Sequence, residues 1–164
     1  MELDKELIEQ FKVRVFEESY ARIYKCLSLI TDEQLWFSPN LNVPPIGNQI
    51  LHLAGNARQW VVSGLGGRED VRQRDMEFEN QAGIRKSELV FVLENLKQNI
   101  NETFEDLQTE DFYRRHSIQG FENSTTGVLI HVIEHFSYHT GQISMLTKIL
   151  VNKPLGYYSE FELN

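Results

Sequence analysis

The stretch Val128-Leu129-Ile130-His131-Val132-Ile133-Glu134-His135-Phe136-Ser137-Tyr138-His139-Thr140-Gly141-Gln142 carries three of the chain's five histidines, each four residues after the last. Four residues turn an α-helix by about 400°, so successive rings would sit about 40° apart in azimuth and ~6 Å along the axis. Read as a helix, the stretch bears a ladder of imidazoles on one face. From Val128 to Val151 apolar residues fall on most sides, the mark of a helix enclosed by neighbours. Ser124-Thr125-Thr126 offer caps at its start, and it must end before Pro154.

A helix surrounded by apolar contacts needs partners, and three more helical patterns precede it. From Leu3 to about Ile30, the residues Leu3, Leu7, Phe11, Val15, Ile23, Leu27 and Ile30 recur mostly at steps of four and three. Thr31 with Gln34 has the spacing of a capping box and predicts one further turn, ended by Ser38-Pro39-Asn40. Pro45 suits a helix start, and Ile46, Ile50, Leu53, Ala54, Ala57 and Val61 continue that helix to Gly64-Leu65-Gly66-Gly67. A third long helix begins near Lys86-Ser87 and is traced by Leu89, Leu93, Leu96, Ile100, Phe104 and Leu107.

Between the second and third long helices, Glu69, Asp70, Arg72, Arg74, Asp75, Glu77 and Glu79 lie in roughly twenty residues without periodicity, read as a solvated surface connection. Residues 108–123 read either as an irregular loop or as a short hairpin. No Gly-rich phosphate loop, strand alternation or internal repeat is present. The expected fold is an all-α four-helix bundle with long connections, one domain spanning residues 1–164.

Twenty-four acidic against sixteen basic residues give a formal charge of −8. With no clustering of the basic residues, that charge argues against a nucleic-acid partner. Cys26 is the single cysteine, which excludes an intrachain disulfide. The segment MELDKELIEQ has neither the basic nor the apolar run of a signal peptide, and no span approaches the ~20 apolar residues of a membrane helix. The expectation is a cytoplasmic protein with no membrane partner.

Two histidines four apart on a helix can bind one metal ion, but they supply two ligands and a useful site needs a third. His52 is the natural candidate. It lies mid-helix among apolar residues in Gln49-Ile50-Leu51-His52-Leu53-Ala54-Gly55-Asn56, where an unpaired imidazole would be costly to bury. Three imidazoles without a cysteine make an open site, leaving a coordination position for water or substrate. Such nitrogen-rich ligation suits zinc, nickel, copper or iron.

The His-Leu-Ala-Gly-Asn segment at 52–56, Trp60 one turn later, and the His-x-x-x-His-x-Gly-Gln segment at 135–142 resemble the DinB/YfiT-like family of helical metalloproteins. The order and spacing of helices match over nearly the whole chain. The resemblance implies one divalent ion, zinc or nickel first, held by His52, His135 and His139. It also implies transfer of a low-molecular-weight thiol to an electrophilic small-molecule substrate, and a homodimer. The chain departs from many relatives at Phe136 and Thr140, where those carry an acidic and a basic residue.

The remaining candidates carry competing readings. His131 shares the ladder and is the candidate catalytic acid/base, a supplementary ligand, or a partner orienting His135. Asn56 and Gln142 are candidates for binding cofactor or substrate, or are packing residues. Arg14, Arg22 or Arg58 would suit an acidic thiol. Ser137, rotated about 200° from His135, faces away from the ladder and makes no triad.

Gly141 costs about 1 kcal/mol relative to alanine inside a helix and is expected to mark close packing against another helix. His116 reads as a solvated loop residue, Cys26 as a small buried hydrophobe, and Trp36 and Trp60 as packing residues. Alternatives to thiol transfer are metal-dependent hydrolysis with His131 as proton acceptor, and a non-catalytic metal-binding stress protein or dimerisation bundle.

Overall fold

The computed structural model describes residues 3–79, 83–159 and 162. The first long helix, α1, covers residues 3–29: it is α-helical at Leu3–Lys12 and Tyr20–Leu29, with a π-helical stretch at Val13–Ser19 between them. Its apolar steps bury Phe11, Val15, Ile23 and Leu27 as the spacing predicts. Tyr20 enters the same core, its hydroxyl donating to the carbonyl of Leu93 at 3.0 Å, so the ring is buried without stranding its polar end.

The predicted capping box opens the short helix α2, Asp32–Leu35. Gln34 N donates to Thr31 Oγ1 at 3.1 Å, and Thr31 N donates to the Gln34 side chain at 3.0 Å. Helix α3 covers residues 46–63, α-helical at Ile46–Ala57 and π-helical at Arg58–Ser63, with Pro45 immediately before its first turn. Helix α4 is Lys86–Asp106. Helix α5 is Thr125–Val151, begun by Ser124, whose hydroxyl accepts from Gly127 N at 3.1 Å, and closed by Asn152 in a left-handed conformation.

Helix α5 packs on α1 and α3, and α4 closes the bundle against α3 and α1. One contiguous apolar core runs between them. Phe136 and Thr140 both lie in this core, which explains the departure from charged residues there: an unpaired charge at either position would be buried among apolar neighbours.

Two expectations are corrected. The segment after Gly67 is not simply a solvated connection, because it contains a 3-10 helix, Arg74–Phe78, packed on α3. The buried Asn48 amide on α3 anchors it by donating to the carbonyls of Glu77 and Glu79, both at 2.8 Å. Arg72 and Glu77 are buried within it, their side chains only 4% and 9% exposed. Gly141 faces open space, with nothing within 4 Å of the position its Cβ would occupy. The low-propensity residue there sits on the outer face of α5 and marks no helix contact.

For residues 108–123 the hairpin reading holds. After a 3-10 turn at Thr109–Tyr113, strands β1, Arg115–Ile118, and β2, Phe121–Ser124, pair antiparallel with Arg115 opposite Ser124. Gln119 and Gly120 have φ of 56° and 80°, the doubly left-handed pattern of a tight two-residue hairpin turn. Among the described residues no helix is long and apolar enough to cross a membrane.

Candidate metal centre

Helix α3 presents His52 towards α5, and α5 presents His135 and His139 towards α3. Their rings converge: centroids lie 4.9 Å apart for His52 and His135, 5.1 Å for His52 and His139, and 4.6 Å for His135 and His139. One ring nitrogen from each lies within 4.8 Å of the other two. Two nitrogens bound ~2.1 Å from one tetrahedral ion stand about 3.4 Å apart, so the three rings are close enough for a single ion to draw them together.

The donor set fits a divalent cation. Nδ1 of His135 and Nδ1 of His139 are buried without a hydrogen-bond partner, an arrangement that is costly for a polar atom unless something else satisfies it. Both rings are held neutral. Burial, reinforced by the neighbouring His139, His52, His131 and Arg72, pushes His135 down to about 3. Burial and His52 push His139 down to about 4, with the Gln142 side chain acting in the opposite direction. Neutral imidazoles are the form that binds metal.

Behind His52 stands a group that periodicity did not reveal. Glu77 Oε2 lies 2.8 Å from His52 Nδ1. Arg72 donates to both carboxylate oxygens of Glu77, Nε to Oε1 at 2.6 Å and an Nη to Oε2 at 2.8 Å, and to Gln59 Oε1 at 2.9 Å. Burial pushes the Glu77 carboxyl up, but hydrogen bonds from Arg72 and His52, with their charges, outweigh it and hold the group below the usual carboxylate range. Phe78, next in the chain, lies against the His52 ring at 4.9 Å, and the Arg74 guanidinium lies over the Phe78 ring at 5.4 Å.

His131 is not in the cluster. Its ring lies 5.7 Å from that of His135 and stacks on Trp60 at 4.0 Å, tilted 30°. Asn56 Nδ2 is 3.5 Å from His131 Nε2. As His135 Nδ1 has no partner, His131 does not orient His135 through that atom. Burial lowers the His131 pKa, partly offset by Glu134. Trp60 and Gln59 both come from the π-helical turn of α3, where Gly64 N bonds Gln59 O five residues back at 2.9 Å; wide turns of this kind are frequent at functional sites.

Other candidates lie elsewhere. Arg14 pairs with Glu18 at 2.7 Å, and Arg22 binds the Tyr158 hydroxyl at 2.8 Å, both on α1. Arg58 lines a groove with Leu51, Phe91 and Asn95 on the α4 side of α3. Ser137 is exposed. His116 is corrected from a solvated loop residue to a half-buried strand residue whose Nε2 is 2.9 Å from Thr125 Oγ1. Cys26 is buried, with its sulfur 3.2 Å from the Tyr157 hydroxyl. Trp36 packs in the fold and donates from Nε1 to the Ile84 carbonyl at 2.8 Å.

The residues that sequence reasoning missed are Arg72, Glu77 and Phe78, on an element without a period. One signal pointed to them: Gly55, mid-helix and one turn after His52. A Cβ there would stand 2.0 Å from Glu77 Oε1 and 3.2 Å from Arg72 Nε. The glycine of the His-Leu-Ala-Gly-Asn segment makes room for the carboxylate.

The bundle has the all-α DinB-like fold, with a three-histidine cluster shared by two of its helices. The chain belongs to the family described as "Protein of unknown function (DUF1572)", which it matches over residues 3–159. Two solved structures share the fold. The "conserved protein of locus from Enterococcus faecalis" superposes with a TM-score of 0.72 at 13% identity, covering 88% of this chain and 97% of that one. A "dinb-like protein from bacillus cereus atcc 10987" superposes with a TM-score of 0.67 at 19% identity, covering 87% and 92%. No curated protein matches the chain.

Proposed function

We propose that the protein is a metal-dependent enzyme that transfers a low-molecular-weight thiol to an electrophilic small molecule, with His52, His135 and His139 holding one divalent ion. Zinc or nickel is the metal of first choice for this neutral nitrogen set. The observation that carries the reading is the convergence of three imidazoles from two helices, with no fourth histidine, cysteine or carboxylate in the group among the described residues. A divalent ion bound there supplies Lewis acidity that can hold a thiol as its thiolate or lower the pKa of water towards about 7.

The chain's own groups have assignable parts. His135 and His139 offer lone pairs at neutral pH without first losing protons. His131, on the same face of α5, is assigned to accept the proton as the thiol becomes a thiolate; the sulfur then bonds to carbon as the leaving group departs with its electron pair. Asn56 and Gln142 are assigned to polar contacts with the bound molecule, and the rings of Trp60 and Phe78 form apolar walls near the histidines. The proposal places the protein in the cytoplasm. It includes a homodimer, supported by the exposed Ile130, Met145 and Ile149 along α5 and tested by light scattering.

The test is product formation from 1-chloro-2,4-dinitrobenzene with a panel of thiols, run on zinc- and nickel-loaded protein. Thiol-dependent product should fall by at least a hundredfold in His139→Ala, which should also lose its metal. His131→Gln should keep the metal and lose most of the rate. Turnover unaffected by His139→Ala would overturn the proposal, and turnover without thiol would replace transfer with hydrolysis.

A further inference from the structure

We infer that Glu77, clamped by Arg72 and seated on Gly55, is the positioning residue of His52, fixing the proton on Nδ1 and so leaving Nε2 as the nitrogen offered to the cluster. The inference rests on the reading of His52 as a metal ligand and adds the groups that prepare it.

The argument begins with donors and acceptors. Two groups approach His52 Nδ1: Glu77 Oε2 at 2.8 Å and an Arg72 Nη at 3.3 Å. A carboxylate whose two oxygens both accept from a guanidinium only accepts, and a guanidinium only donates. If Nδ1 carried a lone pair, the closer contact would set it against a carboxylate oxygen. With the proton on Nδ1, the shorter contact becomes a charge-assisted hydrogen bond, and the Arg72 Nη is accounted for by its own 2.8 Å bond to the same Glu77 oxygen. The shorter contact decides the tautomer.

The carboxylate is held on every side. Arg72 grips it through two nitrogens and is itself tied to Gln59 on α3. The Glu77 backbone is tied to the same helix by Asn48. Gly55 leaves the space for Oε1, since a side chain there would overlap it at 2.0 Å. A ligand histidine hydrogen-bonded through its second nitrogen to a fixed carboxylate is more basic and cannot rotate freely. Removing such a partner commonly weakens metal binding 10- to 100-fold.

A purely structural ion pair would not require the imidazole contact, so two readouts separate the ideas. The first is the tautomer of His52 in metal-free protein at pH 8, from two-bond proton–nitrogen correlation spectra. Wild type should show the Nδ1–H form, and Glu77→Ala should shift it towards Nε2–H. The second is zinc affinity by competition with a chromophoric chelator. It should fall about 10- to 100-fold in Glu77→Ala and likewise in Gly55→Ala, whose new methyl evicts the carboxylate. Glu77→Gln, whose amide oxygen can still accept from Nδ1–H, should restore part of the loss.

If Glu77→Ala does not fold, the paired change Arg72→Met with Glu77→Leu removes both charges together and should give the same loss of affinity. A wild-type His52 in the Nε2–H form, or zinc affinity unchanged in a folded protein lacking Glu77, would overturn the inference. Failure of the metal reading looks different: wild type would then bind no zinc, whatever the tautomer.

Discussion

Helix α5 and the segment that ends in Glu77 both serve the histidine cluster, but they do so by opposite means. On α5, His135 and His139 share a face because four residues make slightly more than one turn, and the helix imposes that whatever surrounds it. Glu77 and Arg72 have no such rule. They reach His52 because Asn48 holds the backbone at Glu77, Gly55 leaves a gap, and the two charges neutralise each other. A side chain placed by a periodic element is robust to changes nearby, whereas one placed by tertiary contacts depends on each of them.

Replacing one member of each region should expose that contrast. The largest effect on stability is expected from Arg72→Met, which leaves the Glu77 carboxylate buried without its guanidinium. Breaking a buried pair in this way costs about 3–5 kcal/mol, measured by urea denaturation of the metal-free protein. A loss below about 1 kcal/mol would mean that the segment is far less dependent on the pair than its geometry implies.

Acid should strain α5 instead. His135 and His139 have folded values of about 3 and about 4 against 6.5 for the unfolded chain. The unfolded state therefore binds more protons at intermediate pH. The stability they contribute is fully present above pH 6.5 and is lost as pH falls through that value towards about 4 for His139 and about 3 for His135, at up to about 1.4 kcal/mol per pH unit for each ring. Metal-free His135→Ala should show a shallower loss over the same window in pH-dependent denaturation. An equal slope in both proteins would remove the depressed histidine from the explanation.

The smallest effect compares two glycines. Gly141→Ala on α5 meets open space and should stabilise the protein by about 0.5–1 kcal/mol, read as a small rise in midpoint temperature. The same change at Gly55 meets the Glu77 carboxylate and should destabilise. If both substitutions behaved alike, helix propensity rather than the neighbouring segment would govern position 55.

The sequence was most legible where one residue's role follows from its immediate neighbours. Thr31 and Gln34 cap each other three residues apart, Ser124 starts α5, and the step of four brings His135 and His139 to one face. His52 was legible as a buried imidazole in need of a partner. Arg72 and Glu77 were not, because a charged residue in an aperiodic stretch looks the same whether it meets water or a buried counter-charge 5 residues away. Gly141 misled for a related reason. Low helix propensity has a cost everywhere but signals contact only where something comes close, and propensity alone does not say what comes close.

The wide turn at Arg58–Ser63 has a consequence for how this protein can change. Its i→i+5 bonds take up one extra residue, so one residue fewer at its start would return α3 to a regular helix while the residues on either side kept their faces. Loss of Arg58 would shift Gln59 and Trp60 around the axis, off Arg72 and off the face of His131, while His52, His135 and His139 stayed in phase with one another. A single deletion can therefore uncouple the ligands from the walls of their site, so that chains keeping the same three histidines are free to surround them differently.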